Sequence, residues 1–589
     1  MDTSFLILVL LTLPVVWAAG LLLPIPGLQR KRYAWAYSAV TSAISLTLAV
    51  IVAMNFDWSR PGDMQLSGSI DWIPSMGLSF RYGVDAISLW LILLTAVIMP
   101  VVVLSSLIEV NHDMRQFHFW LHILEAALIG TFVAQDIVLF YVCFEFTLIP
   151  LYFLIGVFGH KEKLKAARVY FLYAFTGSML TFAGVLYVGY VGWQQTGMWT
   201  FAIADLYDIG RRMSMTEQCL VFAAMLAGFG VKTPLVPFHT WLPLAHTEAP
   251  TAGSVDLAGL VLKLGPYGLI RLAIPMLPDA ALAFAPWVCV VAVIGIVYAA
   301  LICRAQKDAK RLVAYSSVSH MGFVALGLFV FDPDGIAATG AVFYMLAHGL
   351  ATGGLFLCIG MLYDRFHTRE FGRVGGTAKF MPVWSFFFML FVLASVGLPG
   401  LNGFPGEFLT LIGAFDSGLW WSKPMAVAGA LGVILAAVYL LYMAGRMVWG
   451  TPIIPPDHAG YLEGAEHGVD PNHRHDLSWR EVTTLVPVAG LCLLLGLLPM
   501  PVLRTLEAPV QGLNKPVMGL VEAEEQAAGL AGGDAGTAAD AGVVMQDDRS
   551  QATGLNGVGV AGPGERSQAI PLRVVVADGV GGEGVDGDE

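Results

Sequence analysis

The chain has 589 residues, of which 57% are hydrophobic and 13% charged, with a formal net charge of −12. A soluble globular protein carries roughly 25% charged residues. A mean hydropathy of +0.70 over this length therefore excludes an ordinary soluble enzyme and indicates a membrane-embedded protein. Acidic residues are concentrated after Arg504, so the net charge describes a tail and gives no reason to expect a nucleic-acid partner.

Fourteen segments are apolar over about the 20 residues that a membrane-spanning helix needs. The expected spans are 4–23, 33–55, 84–107, 115–133, 136–157, 167–192, 217–239, 251–275, 281–302, 311–331, 336–362, 382–412, 425–449 and 482–504. We therefore predict an all-α polytopic membrane protein with about 14 transmembrane helices, in a membrane domain that covers residues 1–505.

The charge of the predicted loops supports this count. Basic residues gather in alternate loops, around 30–32, 161–168, 304–311 and 365–379, and the intervening loops contain few. Because cytoplasmic loops are enriched in lysine and arginine, these odd-numbered loops are expected on the cytoplasmic side. The chain is then predicted to lie in a bacterial inner membrane with both termini in the periplasm.

Proline and glycine interrupt three predicted spans. The interruptions begin at Gly230 in span seven, at Lys263 in span eight and at Gly397 in span twelve. Proline and glycine interrupt a helix. Irregular backbone at membrane depth is tolerated only where it is buried in protein or lines a water-filled cavity. Spans seven and twelve are five apart, which predicts two inverted five-helix repeats, at about 115–275 and 281–449.

The sequence after residue 505 differs from the membrane domain. It is rich in Gly, Ala, Asp and Glu, and no apolar stripe is evident in it. Such composition cannot bury enough apolar surface to fold alone. Residues 506–589 are therefore predicted to form an acidic, disordered tail.

Several ionisable residues lie within the predicted spans, where a charge costs at least about 2.5–3.5 kcal/mol. The candidates for proton transfer are Glu145, Lys232, Lys263, His320, His348 and Glu407. A buried lysine and glutamate that approach each other alter each other's proton affinity, and histidine can pass protons near neutral pH. This set predicts a proton relay that runs from Glu145 to Glu407.

Each of these residues has a structural alternative, in which the charge simply forms a buried ion pair. Glu125 in span four is as easily structural as functional, and His122 is compatible with a hydrogen-bonded core histidine. His239 and His246 flank the end of a span and are better interpreted as interfacial or structural. Asp256 lies seven residues before Lys263, a spacing that predicts one shared helical face.

Long motifs in the chain resemble the antiporter-like subunits of NADH:quinone oxidoreductase (respiratory complex I). They are FEFTLIP at 144–150, KTPLVPFHTWLPLAH at 232–246, EAPTAGS at 248–254, AYSSVSHMG at 314–322 and GFPGEF at 403–408. The resemblance covers about residues 1–505. Glu407 stands where the L-type, N-type and Mrp antiporter members carry lysine, so the likeness is to the M type, the counterpart of mitochondrial chain 4.

The resemblance implies a role for each residue in proton transfer. Glu145 and Lys232 would form the coupling pair, Lys263 the central relay, and Glu407 the output side. It also implies that the chain holds no cofactor of its own. NADH, FMN, iron–sulfur clusters and quinone would belong to partner subunits, and L-type and N-type subunits would be membrane neighbours.

Two other functions remain open on the sequence alone. A cation/proton antiporter of the Mrp type, or a membrane subunit of a related hydrogenase, would use the same fold, although Glu407 argues against the antiporter. A structural scaffold would contain the same buried charges only as ion pairs. The scaffold predicts that Glu145→Gln or Lys232→Ala leaves proton pumping intact, whereas the relay predicts a severe loss.

Overall fold

The computed structural model describes residues 4–25, 28–110, 112–455 and 476–533. The chain divides into two compact units, Met1–Gln526 and Ala527–Glu589. The first unit contains every element discussed below except the last turns of the final helix. Most of the second unit, residues 534–589, lies outside the described residues, as does most of the predicted tail.

Helices make up most of the described chain. The first half contains α1 (Phe5–Leu22), α2 (Lys31–Asn55), α3 (Ala86–Glu109), α4 (Met114–Val133), α5 (Ile137–Phe146), α6 (Leu148–Phe158), α7 (Lys163–Thr196), α8 (Ile203–Arg211), α9 (Met215–Lys232), α10 (Trp241–Glu248), α11 (Thr251–Gly259), α12 (Leu264–Gly268) and α13 (Ile274–Met276). The second half contains α14 (Pro278–Ala305), α15 (Ala309–Phe329), α16 (Ile336–Phe366), α17 (Pro382–Val396), α18 (Gly403–Asp416), α19 (Ser422–Met447), α20 (Trp479–Leu497) and α21 (Met500–Gly533).

Among the described residues, 11 helical segments are long and apolar enough to cross a membrane. Helix is also present in the other three predicted ranges, as α4, as α9 and as the pair α17 and α18. These three are shorter, broken or more polar, because they contain several of the ionisable residues. The membrane-spanning helical architecture is thus confirmed, whereas the count of fourteen and the inverted repeats stay predictions.

The helices differ sharply in how much of their surface other helices cover. The segments Thr251–Met276, Ala309–Phe329 and Ile336–Phe366 are almost wholly buried, whereas only 28–33% of the apolar window is buried in α1, α2 and α19. An apolar exterior is stable in lipid because acyl chains are as apolar as leucine. The buried helices therefore form the centre of the membrane domain, and they contain Lys263, His320 and His348.

The predicted helix breaks are present. α9 ends at Lys232, ahead of Pro234, and α10 begins only at Trp241. The eighth predicted span changes to a 3₁₀ turn at Val261–Lys263 and to a π-helical turn at Leu269–Ala273. α17 ends at Val396, and Gly397 adopts a left-handed conformation with φ of 79°. Each break frees backbone groups next to an ionisable side chain.

A β-hairpin between α2 and α3 departs from the all-α prediction. β1 (Gln65–Ile73) pairs antiparallel with β2 (Leu78–Val84). Polar and apolar residues alternate along both strands, a period of two that suits a half-exposed strand. The segment lies between two predicted spans, and Tyr82 pairs with Ala134 at the end of α4. The hairpin therefore covers one end of the bundle.

The prediction of disorder immediately after residue 505 is wrong for residues 506–533, which belong to α21. The apolar stripe that the sequence analysis missed repeats every three or four residues and is buried against the membrane domain. Its members are Val502, Leu506, Val510, Leu513, Val517 and Val521. Hydrogen bonds fix the helix further, from Trp90 Nε1 to Thr505 at 2.9 Å and from Gln511 to the Asp334 carbonyl at 2.9 Å.

The α6–α7 loop lies outside the predicted spans and is fastened to the end of α10. The backbone N–H of His160 donates to the Glu248 carbonyl at 2.8 Å, and that of Glu162 donates to the Glu248 carboxylate at 2.8 Å. Burial, together with the positive charges of Lys310 and Arg369, lowers the pKa of His160 to about 3. His160 is therefore neutral at physiological pH.

Candidate functional site: a buried line of ionisable residues

Glu145 lies near the end of α5, where one predicted span is divided into α5 and α6. Asp136 starts α5 by accepting hydrogen bonds from two backbone N–H groups at 2.9 and 3.3 Å, as an N-cap residue does. The Thr147 hydroxyl between the helices donates to the Phe144 carbonyl at 2.7 Å. Within the described residues, one Glu145 oxygen is buried without a hydrogen-bond partner, so this carboxylate can accept a new contact.

Lys232 is the last residue of α9, and its side chain is buried against α5. The ammonium group donates to the Thr147 hydroxyl at 2.8 Å and to the Phe144 carbonyl at 3.5 Å. It also lies 4.4 Å from the centre of the Phe144 ring, a favourable cation–π distance. Glu145 interacts with it electrostatically, but the two form no ion pair in the described structure. Lys232 is therefore held by neutral groups beside an available carboxylate.

Lys263 ends the 3₁₀ turn between α11 and α12 and is fully buried. Because the helix is interrupted here, the Ala258 carbonyl is free to accept a short hydrogen bond from the ammonium group. A second bond, of 2.8 Å, joins Lys263 Nζ to His348 Nδ1. An ammonium group has no acceptor, so charged Lys263 requires a lone pair on Nδ1 and a proton on Nε2 of His348.

A polar chain continues from His348 to Glu407. The rings of His348 and His320 lie 5.6 Å apart, centre to centre. His320 Nδ1 is 2.6 Å from the Tyr344 hydroxyl, which donates a short hydrogen bond to Glu407. Since the Tyr344 hydroxyl donates its proton to the hydrogen bond with Glu407, His320 Nδ1 must be the donor in the hydrogen bond with Tyr344. A proton on His320 thus has a hydrogen-bonded route to Glu407.

A small cavity of about 10 Å³ lies between the two histidines. Its walls include His320, Tyr344, His348 and Ser395. A cavity needs at least roughly 10–15 Å³ to hold one water molecule, and this one has polar groups on several sides. One water could therefore join the imidazoles, whose ring nitrogens have no direct contact in the described structure.

The break between α17 and α18 positions Glu407. Gly397 packs so closely against the carboxylate that a side chain there would overlap it. Asn402, in the connection between the helices, donates to the Ala347 carbonyl at 3.0 Å. Helix α18 then packs on α16, and Glu407 is 3% exposed. The broken helix therefore directs Glu407 toward the histidines of α15 and α16.

The structure brings the six predicted relay residues together in two groups. Glu145 and Lys232 form one group at α5 and α9. The other four form a second group, in the order Lys263, His348, His320 and Glu407. Between Lys232 and Lys263 the backbones of α9 and α12 pack closely: Gly265 leaves no room for a side chain beside Phe229 and Thr233. The described contacts include no hydrogen bond that joins the groups.

Three residues of this arrangement were absent from the sequence analysis. Tyr344 bridges His320 and Glu407, Thr147 holds Lys232, and the Tyr439 hydroxyl lies 3.4 Å from His320 Nε2. Tyr344 is four residues before His348, a spacing that places both on one helical face and offered a usable signal. Thr147 and Tyr439 gave none, because only the fold brings them to a charge.

The other ionisable candidates lie apart from this line. Between Asp256 and Lys263, α11 ends at Gly259 and the chain changes to a 3₁₀ turn, so the shared helical face stays a prediction. Asp256 interacts electrostatically with Glu125 of α4. His246, expected to be interfacial or structural, is fully buried and stacks on Phe356 with ring centres 4.8 Å apart.

Comparison with known proteins defines the class. A family model described as "NADH:quinone oxidoreductase/Mrp antiporter, TM" matches residues 134–435. That range includes all six relay residues. The chain belongs to this family of membrane proteins.

Among individual relatives, the similarity is to one kind of subunit. The chain is 39% identical over 479 residues to NADH-quinone oxidoreductase subunit M of Rhodobacter capsulatus, covering 80% of this chain and 89% of that protein. It is 39% identical to NADH-ubiquinone oxidoreductase chain 4 of Marchantia polymorpha, covering 75% and 86%. These matches confirm the M-type resemblance.

Solved structures share the fold. A chain of respiratory complex I from Thermus thermophilus aligns with a TM-score of 0.74 at 30% identity, covering 87% of this chain and 99% of that one. A chain of the Mrp complex from Dietzia sp. aligns with a TM-score of 0.72 at 21% identity, covering 87% and 98%. The second match supports the fold alone.

Proposed function

We propose that this chain is a proton-translocating membrane subunit of NADH:quinone oxidoreductase, which couples quinone reduction elsewhere in the complex to proton pumping. The family match and the named relatives support this function. The observation that carries it is the buried series Lys263, His348, His320 and Glu407, extended by the Tyr344 hydroxyl. Such groups are expensive in a membrane and mark ion or proton pathways.

The pair of Lys232 and Glu145 would act as the switch. In the observed arrangement Lys232 is held by Thr147 and Phe144, while Glu145 retains a free acceptor oxygen. Moving the ammonium group to the carboxylate would stabilise the charged forms of both, and moving it back would favour release of the lysine proton. The energy for this motion would come from a neighbouring subunit.

The second group would carry the proton across the centre of the domain. Lys263 would give its proton to His348 Nδ1, and His348 would release the proton on Nε2 toward His320 through the small cavity. His320 would then donate through Tyr344 to Glu407. Each transfer uses a hydrogen bond already present, apart from the step across the cavity. Glu407 would be the last store before release.

Several further features belong to this proposal. NADH, FMN, iron–sulfur clusters and quinone are proposed to belong to partner subunits, a proposal supported by relatives named as subunits of NADH-quinone oxidoreductase. L-type and N-type subunits are the proposed membrane neighbours. The proposed membrane domain has fourteen spans and two inverted repeats. It lies in a bacterial inner membrane with both termini in the periplasm. The membrane domain is proposed to end near residue 505, although α21 continues the packed structure.

The decisive experiment replaces the switch residues in the assembled complex. Glu145→Gln or Lys232→Ala should reduce NADH-driven proton uptake into inverted membrane vesicles severely, by about 100-fold. Matched controls are Glu162→Gln and Lys165→Ala, since these residues form an exposed ion pair of the same types at 3.0 Å. Rates are normalised to assembled complex, measured by native gel and by NADH oxidation with a soluble electron acceptor.

Each outcome of this experiment supports one interpretation. Loss of pumping in the switch variants, with normal pumping in the exposed-pair controls, supports the relay. Normal pumping in correctly assembled switch variants contradicts it and favours a structural scaffold. Pumping that depends on sodium or potassium in the unmodified complex would instead favour a cation/proton antiporter.

A further inference from the structure

A second line of buried polar residues lies outside the relay. It consists of His118, His122 and Glu125 on α4 and Asp256 on α11, and we call it the α4 line. All four residues have 0% exposure. The three positions on α4 repeat at intervals of four and three residues and therefore share one helical face. Along the helix they extend over about 10 Å.

Hydroxyl groups from two neighbouring helices contact the α4 line. Ser106 of α3 lies 3.0 Å from His118 Nε2, and Thr41 of α2 lies 3.0 Å from His122 Nε2. His122 Nδ1 is 3.1 Å from the Glu125 carboxylate. Because both nitrogens of His122 are engaged, its ring can take a proton on one side and release one on the other.

Asp256 is the most unusual member of the line. Within the described residues, neither of its carboxylate oxygens has a hydrogen-bond partner, and one oxygen of Glu125 also has none. Glu125 is close enough to interact electrostatically with Asp256. A buried polar group without a partner costs about 1–3 kcal/mol, so the presence of these carboxylates at this position requires an explanation. Two interacting buried carboxylates do not readily ionise together, so this pair can store a proton.

One end of the α4 line lies beneath a polar surface cavity of about 620 Å³. The cavity is formed by the α1–α2 and α3–α4 connections and includes Gln29, Lys31, His112, Asp113 and Arg115. Met114, also in its wall, is one helical turn before His118. The loop-charge pattern assigns this side to the cytoplasm.

The other end approaches the central relay. Asp256 is seven residues before Lys263, a rise of roughly 10–12 Å over the end of α11 and the 3₁₀ turn that follows it. Between them, Gly259 packs against the backbone of Gly349, the neighbour of His348. The α4 line thus leads from a surface cavity toward the lysine that begins the second half of the relay.

We infer that the α4 line is a proton-intake branch that supplies Lys263 from the cavity. A proton taken up by His118 passes one helical turn to His122, a separation that one water molecule can bridge. His122 accepts it at Nε2 through the Thr41 hydroxyl and releases another from Nδ1 to Glu125, which passes it to Asp256. Asp256 then reprotonates Lys263, through water molecules that bridge the distance between them, after that lysine has given its proton to His348. This inference rests on the proposed function.

The test must separate transfer from packing, because the same contacts also fasten α2, α3 and α4 together. Glu125→Gln preserves the shape and the contact to His122 but cannot release a proton. Asp256→Asn does the same at the next position. Both variants should lower NADH-driven proton uptake per assembled complex by about tenfold. Glu125→Asp should restore at least half of the rate.

A control for lost packing is Thr95→Val, since the buried Thr95 hydroxyl donates within its own helix, to the Leu91 carbonyl at 2.9 Å, and has no other hydrogen bond among the described residues. It should leave pumping per assembled complex unchanged. Wild-type pumping in both carboxamide variants would overturn the inference. A loss that Glu125→Asp fails to restore would also overturn it, because a structural role would then explain the defect.

The Lys232→Ala variant is measured in parallel to distinguish two failures. If Lys232→Ala abolishes pumping and Glu125→Gln does not, only the intake branch is wrong. If Lys232→Ala also pumps normally, the proposed function itself fails. Loss of pumping in both, with rescue by Glu125→Asp, supports the branch and the relay together.

Discussion

The Tyr344 hydroxyl lies between the imidazole of His320 and the carboxylate of Glu407, and Tyr344→Phe removes it alone. The phenyl ring remains, so α16 and α18 keep their packing, and the loss of a buried hydrogen bond costs about 1–3 kcal/mol. Without the hydroxyl, His320 Nδ1 and Glu407 are 3.5 Å apart, which is longer than an effective hydrogen bond.

We expect Tyr344→Phe to slow NADH-driven proton uptake by roughly 10- to 100-fold, since a positioned proton-transfer group contributes about 10²–10⁴-fold and a longer direct route remains. Proton uptake is measured in inverted vesicles and normalised to assembled complex. Tyr439→Phe is the matched control, because its hydroxyl also contacts His320, at 3.4 Å, but forms no hydrogen bond to Glu407 in the part of the chain that the structure describes. Equal rates for Tyr344→Phe and the unmodified complex would refute the proposed route.

Three other changes test separate parts of the structure. Thr147→Val removes the 2.8 Å partner of Lys232 and should slow pumping about tenfold by disturbing the switch; proton uptake per assembled complex measures it. Gly406→Ala places a methyl group against Tyr344, 2.6 Å from its Cβ, and should destabilise the complex by about 1–3 kcal/mol, measured by thermal inactivation. His160→Gln should make the stability of the solubilised complex less sensitive to acid.

The sign of the last effect follows from the lowered pKa of His160, about 3 instead of 6.5. Between these values the unfolded chain binds a proton that the folded chain does not, so stability falls as the pH falls. The glutamine variant lacks this contribution, so equal acid sensitivity of His160→Gln and the unmodified complex would contradict the argument from burial. Normal pumping by Thr147→Val would contradict the role of Thr147 in the switch. Unchanged stability of Gly406→Ala would contradict the close packing of α18 against Tyr344. Thr147→Ser and Gly512→Ala, at a glycine with open space around it, serve as controls.

Much of the fold was readable from composition alone. Apolar segments of membrane length and the alternation of loop charge predicted where helices form, because both follow from local sequence and from the cost of charge in lipid. The breaks at Lys232, Lys263 and Gly397 were predictable for the same reason, since proline and glycine act on the backbone locally. The hairpin and α21 were missed, because packing against the bundle stabilises segments whose composition is weakly informative.

The candidate residues of the relay were also determined by the sequence, since depth in a span and an ionisable side chain suffice to select Glu145, Lys263 and Glu407. Their order was decided by the tertiary structure. Distances between helices far apart in the chain depend on how α15, α16 and α18 pack, and no local rule predicts them. The packing alone introduced Tyr344 as a bridge between His320 and Glu407, because side chains on separate helices come into contact only when those helices pack together.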